Sequence, residues 1–120
     1  MPDQRFGAQW RIRRAADFER VYRRRAKASD ESLLVCGCEN GLDHPRLGLS
    51  VSRKLGTAVV RNRWKRLLRE AFRLSREHLP AGVDLVVIPR PGAEPELRRL
   101  QASLGQLAGR VARRLARNRQ

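Results

Sequence analysis

Apolar positions along this chain recur with two different periods, and the alternation between them predicts the elements. Phe18, Val21 and Tyr22 stand at i, i+3, i+4, which predicts a helix over about Ala15–Arg25. Its start is poorly marked, because Arg14 occupies the place where Ser, Asp or Asn would cap it. The polar stretch Ala28–Ser32 breaks the pattern, and Leu33–Glu39 then reads as a short strand with Leu34, Cys36 and Cys38 on one side and Leu33, Val35 and Gly37 on the other. After the Asn40-Gly41 turn, Arg46–Ser52 alternates, with Leu47, Leu49 and Val51 opposed to Gly48, Ser50 and Ser52. Gly56-Thr57 opens a long helix with Thr57 as its N-cap, closed near His78 by Pro80 and Gly82. On a helical wheel Val60, Trp64, Leu67, Leu68 and Ala71 share an apolar sector, while Asn62, Lys65, Arg66, Arg69, Arg73 and Arg76 fall opposite. Val83–Ile88 is a third strand, and Pro95 suits the first turn of a last helix carrying Leu97, Leu100, Leu104, Leu107, Val111 and Leu115. The order α-β-β-α-β-α predicts a single-domain α+β sandwich over residues 1–120, with 1–11 and 114–120 as loose basic tails.

Charge changes the picture most. From Arg53 to Arg76 there are nine Lys or Arg and one acid, Glu70, so this segment carries +8 of the chain's net +15. A rod with that charge on one face is suited to a polyanion, and arginine grips phosphate oxygens in pairs. Arg53 and Lys54 precede the long helix, whose N-terminus adds partial positive charge. If about six phosphates are neutralised, affinity falls by roughly 10³ between 50 and 200 mM salt. A merely solvated helix is less favoured, since like charges at this spacing repel where no neighbouring Glu pairs with them. An anionic membrane is the weaker alternative, because the apolar stripe is needed for a core and no apolar run approaches the roughly 18 residues of a span. With no hydrophobic segment at the N-terminus, the expected compartment is the cytoplasm.

Chemistry borne by the polypeptide itself is not expected. The acids are scattered without a paired-carboxylate spacing, His44 and His78 have no nucleophile placed beside them, and Gly56 is a lone glycine. Cys36 and Cys38 read as small buried apolar side chains, so neither a catalytic nor a metal site is expected on this chain. Phe18 and Tyr22 have two readings: core, or one wall of a groove over the polar face of the sheet, where unpaired bases could stack.

Gly48-Leu49-Ser50-Val51-Ser52-Arg53-Lys54-Leu55-Gly56, followed by Ala58-Val59-Val60-Arg61-Asn62-Arg63-Trp64-Lys65-Arg66 and Arg69-Glu70-Ala71-Phe72, resembles the protein subunit of bacterial ribonuclease P, whose signature is the segment Arg61-Asn62-Arg63. Arg13-Arg14, Asp17-Phe18 and Val21-Tyr22 resemble that family's first helix, and Gly82–Arg90 its last strand. The resemblance implies a protein cofactor of a catalytic RNA, which performs the hydrolysis with Mg²⁺ and removes the 5′ leader of precursor tRNA. It implies contacts to the RNA subunit from Arg61, Asn62, Arg63, Lys65, Arg66 and Arg69, which extend the cationic face of Arg53, Lys54 and Arg73. It also implies a leader cleft at Phe18, Tyr22, Leu34, Cys36 and Ser50, and so favours the groove for the two rings. A left-handed βαβ crossover in a small mixed sheet is implied as well, against the usual right-handed rule. The partners expected are the ribonuclease P RNA and the leader, with neither membrane nor DNA. The competing class is a small ribosomal protein that binds rRNA.

Overall fold

A computed structural model of the chain describes residues 7–118. Helix α1 (Ala15–Arg24) leads into β1 (Ala26–Ser29), β2 (Leu33–Glu39) and β3 (Arg46–Leu49); α2 (Ala58–Ser75), β4 (Val83–Pro89) and α3 (Leu97–Asn118) follow. The strands form one mixed sheet in the order β1-β2-β4-β3. β1 and β2 are antiparallel, as are β2 and β4, whereas β3 and β4 run parallel and are joined through α2. The result is a single α+β domain in three layers. α2 and α3 cover one face of the sheet through Leu33, Val35, Leu47, Leu85 and Val87, and α1 crosses the other over Cys36, Cys38 and Val86.

Strand alternation holds on both sides of β2, and the long helix is capped as expected, with Thr57 Oγ1 accepting from Val60 N–H at 3.3 Å. Trp64, Leu68, Ala71 and Phe72 form its buried stripe. Val60, expected within that stripe, is instead exposed, as are the other residues of the first turn of α2. Phe72, in the turn after Leu68, is fully buried in its place. α1 begins without a side-chain cap, as its sequence indicates.

Three differences from the sequence reading have physical causes. A strand that was not expected, β1, starts before the polar break at Ala28–Ser32 and runs into it, with Ala26 and Ala28 buried and Lys27 and Ser29 exposed. Four residues with alanine at the inward positions give almost no strand signal, and pairing with β2 creates the element. β3 ends at Leu49, three residues before Ser52, although Ser50 N–H still donates to the Val87 carbonyl. Both expected tails make packing contacts where they are described. Trp10 stacks edgewise on His44 and Phe72 with the Arg76 guanidinium 4.2 Å from its ring centre, which holds residues 7–11 against the fold. α3 continues to Asn118 because Leu115 is 1% exposed and belongs to the core. Residues 1–6 and 119–120, at the ends of the two expected tails, lie outside the described residues.

Candidate nucleic-acid interface

The face of the sheet under α1 is floored by residues of alternate register. Leu34 pairs with Ile88 and Cys36 with Val86, while on the edge strand Lys27 pairs with Cys36 and Ser29 with Leu34. Gly48, paired with Val86, is the opening in this floor that lets Phe18 approach; a Cβ there would lie 2.9 Å from the ring. α1 spans the strands transversely, so its first half, with Phe18, lies by β3 and its second half, with Tyr22, lies by β2 and β1.

Beside α1 two depressions follow one another. One, of about 240 Å³, is lined by Phe18, Ile12, Leu47 and Leu49 with Arg11, Arg13, Lys65 and Arg69. The other, of about 550 Å³, is lined by Tyr22, Val21, Leu34, Cys36 and Ile88 with Arg25 and Lys27. Four of the five expected cleft residues, Phe18, Tyr22, Leu34 and Cys36, therefore share this side. Ser50 sits one residue past Leu49, which pairs with Val87, and continues the line begun by Gly48. Phe18 is half-buried in the small core beneath α1, and Tyr22 is 44% exposed. The two rings thus divide the alternatives: Phe18 is both core and wall, Tyr22 is wall alone.

The walls are fixed by a buried carboxylate that the sequence reading did not single out. Asp84, with no exposure at all, accepts from Arg20 Nη2 at 2.7 Å, Arg46 Nε at 2.8 Å, Arg46 Nη2 at 2.6 Å and Asn40 Nδ2 at 2.9 Å. Arg20 lies on α1, Arg46 on β3 and Asn40 in the loop between β2 and β3, so one side chain of β4 ties α1 to the sheet. These bonds hold the Arg46 guanidinium above its ordinary value. Arg24 repeats the device one turn later with Glu39, at 3.1 and 3.2 Å. The signal for Asp84 was an acid inside the apolar run Val83–Ile88, which only a paired partner makes tolerable.

On α2 the expected cationic residues divide by environment. Asn62, Arg63 and Arg66 are exposed, while Arg61, Lys65 and Arg69 are half-buried. Arg61 Nε is buried without an acceptor. Burial pulls the Arg69 guanidinium down, and Arg11 adds to the effect, so two cations converge beside the Phe18 depression. Arg73 differs from the expectation of unpaired charge: Glu70 accepts from its Nε at 2.6 Å and its Nη2 at 3.0 Å, an i,i+3 ion pair that relieves the helix locally. Arg53 and Lys54 are exposed in a short 3-10 turn ahead of α2. Cys36 and Cys38 carry free thiols pushed up by burial, which disfavours the reactive thiolate. Among the described residues no three His, Cys, Asp or Glu side chains are grouped to hold a metal ion, and Asp84 is already saturated by its donors. No helix among them is long and apolar enough to cross a membrane.

A transverse helix over one face of a mixed sheet, an open groove beside it and a cationic helix at one end define a small α+β domain with one strongly basic flank. The chain belongs to the ribonuclease P protein family: the model of the family described as Ribonuclease P matches residues 6–112. It is therefore similar to protein components of that endoribonuclease, the enzyme of tRNA processing. A curated Ribonuclease P protein component from Staphylococcus aureus is 38% identical over 96 residues, covering 79% of this chain and 84% of its own. The solved S. aureus RNase P protein superposes with a TM-score of 0.72 at 39% identity, over 82% of this chain and 91% of that one. The Thermotoga maritima RNase P protein does so with 0.64 at 33% identity, over 90% and 92%.

Proposed function

We propose that this chain binds the catalytic RNA of ribonuclease P through α2 and the segment before it, and holds the 5′ leader of precursor tRNA in the groove beside α1. The observation that carries this reading is the junction of the two surfaces. Lys65 and Arg69 of the cationic helix line the same depression as Phe18, so a strand leaving an RNA docked on α2 enters the groove directly. Phosphates suit the arginine-rich end, and Tyr22, Leu34 and Ile88 offer apolar surface to unstacked bases. The polypeptide supplies position and charge, and the reaction's Mg²⁺ is held mainly by the RNA subunit. Family membership favours this reading over the ribosomal one.

Reconstitution with a ribonuclease P RNA tests it. Arg63→Ala with Arg66→Ala should weaken binding of the RNA subunit and reduce the salt slope by about 2. Tyr22→Ala should weaken a leader-bearing precursor by about 1 to 3 kcal/mol and leave a leaderless tRNA unchanged. An unchanged salt slope, or equal loss for both ligands, would refute the assignment. Tyr22 is the sharper probe than Phe18, whose removal would also disturb the core under α1.

A further inference from the structure

We propose that the β1 edge of the sheet, with the arginine flank of α3, is a second phosphate-binding track that holds single-stranded RNA where it leaves the groove. The inference rests on the groove reading above and carries it past the last strand. α3 contains no acidic residue along Leu97–Asn118. While Leu104, Leu107, Ala108, Val111 and Leu115 are buried, Arg110, Arg113, Arg114 and Arg117 are exposed at i, i+3, i+4, i+7, which places them on one flank.

That flank faces β1. Ser103, two turns earlier on the same side, donates to Asp30 in the β1–β2 turn, and Arg110 Nη1 donates to the Ser29 carbonyl at 3.5 Å. On the other side of the same strand, Lys27 and Arg25 line the groove. Cations therefore bracket the sheet edge, and a chain that crosses the groove from the α2 end meets them as it emerges. The carboxylates at this edge offset only part of that charge: Asp30 accepts from the N–H groups of Ser32 and Leu33 and from Ser103 while facing Arg110, Glu31 beside it is exposed, and Glu39 binds Arg24. The helix dipole explains a cation only in the last turn, and among the four that is Arg117 alone. No large apolar side chain is exposed on α3, so the flank lacks what a membrane-surface helix would insert.

The test compares two precursors in the reconstituted holoenzyme, one whose leader ends within the groove and one about ten nucleotides longer. Combined Arg110→Gln, Arg114→Gln and Arg117→Gln should weaken the long-leader precursor on the order of tenfold and reduce its salt slope by about 2, with the short one unchanged. The corresponding triple change to Lys should retain the affinity, which separates charge from folding. Equal weakening of both precursors would assign the flank to the RNA subunit, and no change in either would leave it a solvated surface; each overturns the proposal. Tyr22→Ala measured alongside tells the two readings apart: if it alters neither precursor, the groove reading has failed, whatever the arginines show.

Discussion

Asp84 shows how one residue decides a groove. Its carboxylate has given up water entirely and is compensated by four hydrogen bonds from three segments. Removing one partner of such a group leaves the others buried and unpaired, which costs about 3 to 5 kcal/mol in fully buried pairs. Arg20 retains partial exposure, so Asp84→Ala is expected near the lower end, about 3 kcal/mol, measured by urea unfolding. α1 is held mainly by Val21, Phe18 and these arginines, so the variant should also loosen the groove wall and speed amide exchange in α1 before the rest. Uniform exchange across the molecule would contradict that role.

At the scale of elements, α3 is the clearest case of packing overriding composition. Its last turns are mostly arginine and alanine and read as a fraying tail, yet Leu115 closes the core there and its carbonyl accepts from Arg24 Nη2 at 3.5 Å. Leu115→Ala is therefore expected to cost about 2 to 4 kcal/mol, seen as a lowered denaturant midpoint with an unchanged slope. A surface-like change below about 0.5 kcal/mol would mean the end of α3 does not hold. Gly37 is the complementary feature on β2, since a Cβ there would stand 2.5 Å from Val111. β1 makes the opposite point: its alanines have little strand preference, and the edge exists because β2 offers it a ladder and α3 a lid.

For the whole molecule the governing quantity is a charge of +15 on a compact domain with a Cα radius of gyration of 13.5 Å. Self-repulsion lowers the stability of the isolated chain, and anions that bind the folded form restore it. Sulfate at about ten times its Kd should add about 1.4 kcal/mol for one site, raising Tm by about 5 °C in a domain of this size. Low millimolar concentrations keep general salting effects small, and a Tm indifferent to sulfate at matched ionic strength would remove the argument.

The amphipathic stripe of α2, the two-faced alternation of β2, the Thr57 cap and the excess of cations on one helix were all fixed locally, because period and charge are properties of neighbouring residues. Through resemblance, Arg61-Asn62-Arg63 and its flanking segments led to the family. Tertiary structure alone decided what depends on distant residues meeting: that Asp84 is joined to Arg20 and Arg46, that Lys65 and Arg69 turn toward Phe18, and that β1 and the arginines of α3 share an edge. A buried carboxylate or an edge strand of alanines has no periodic signature, since its energy comes from partners many residues away in the chain.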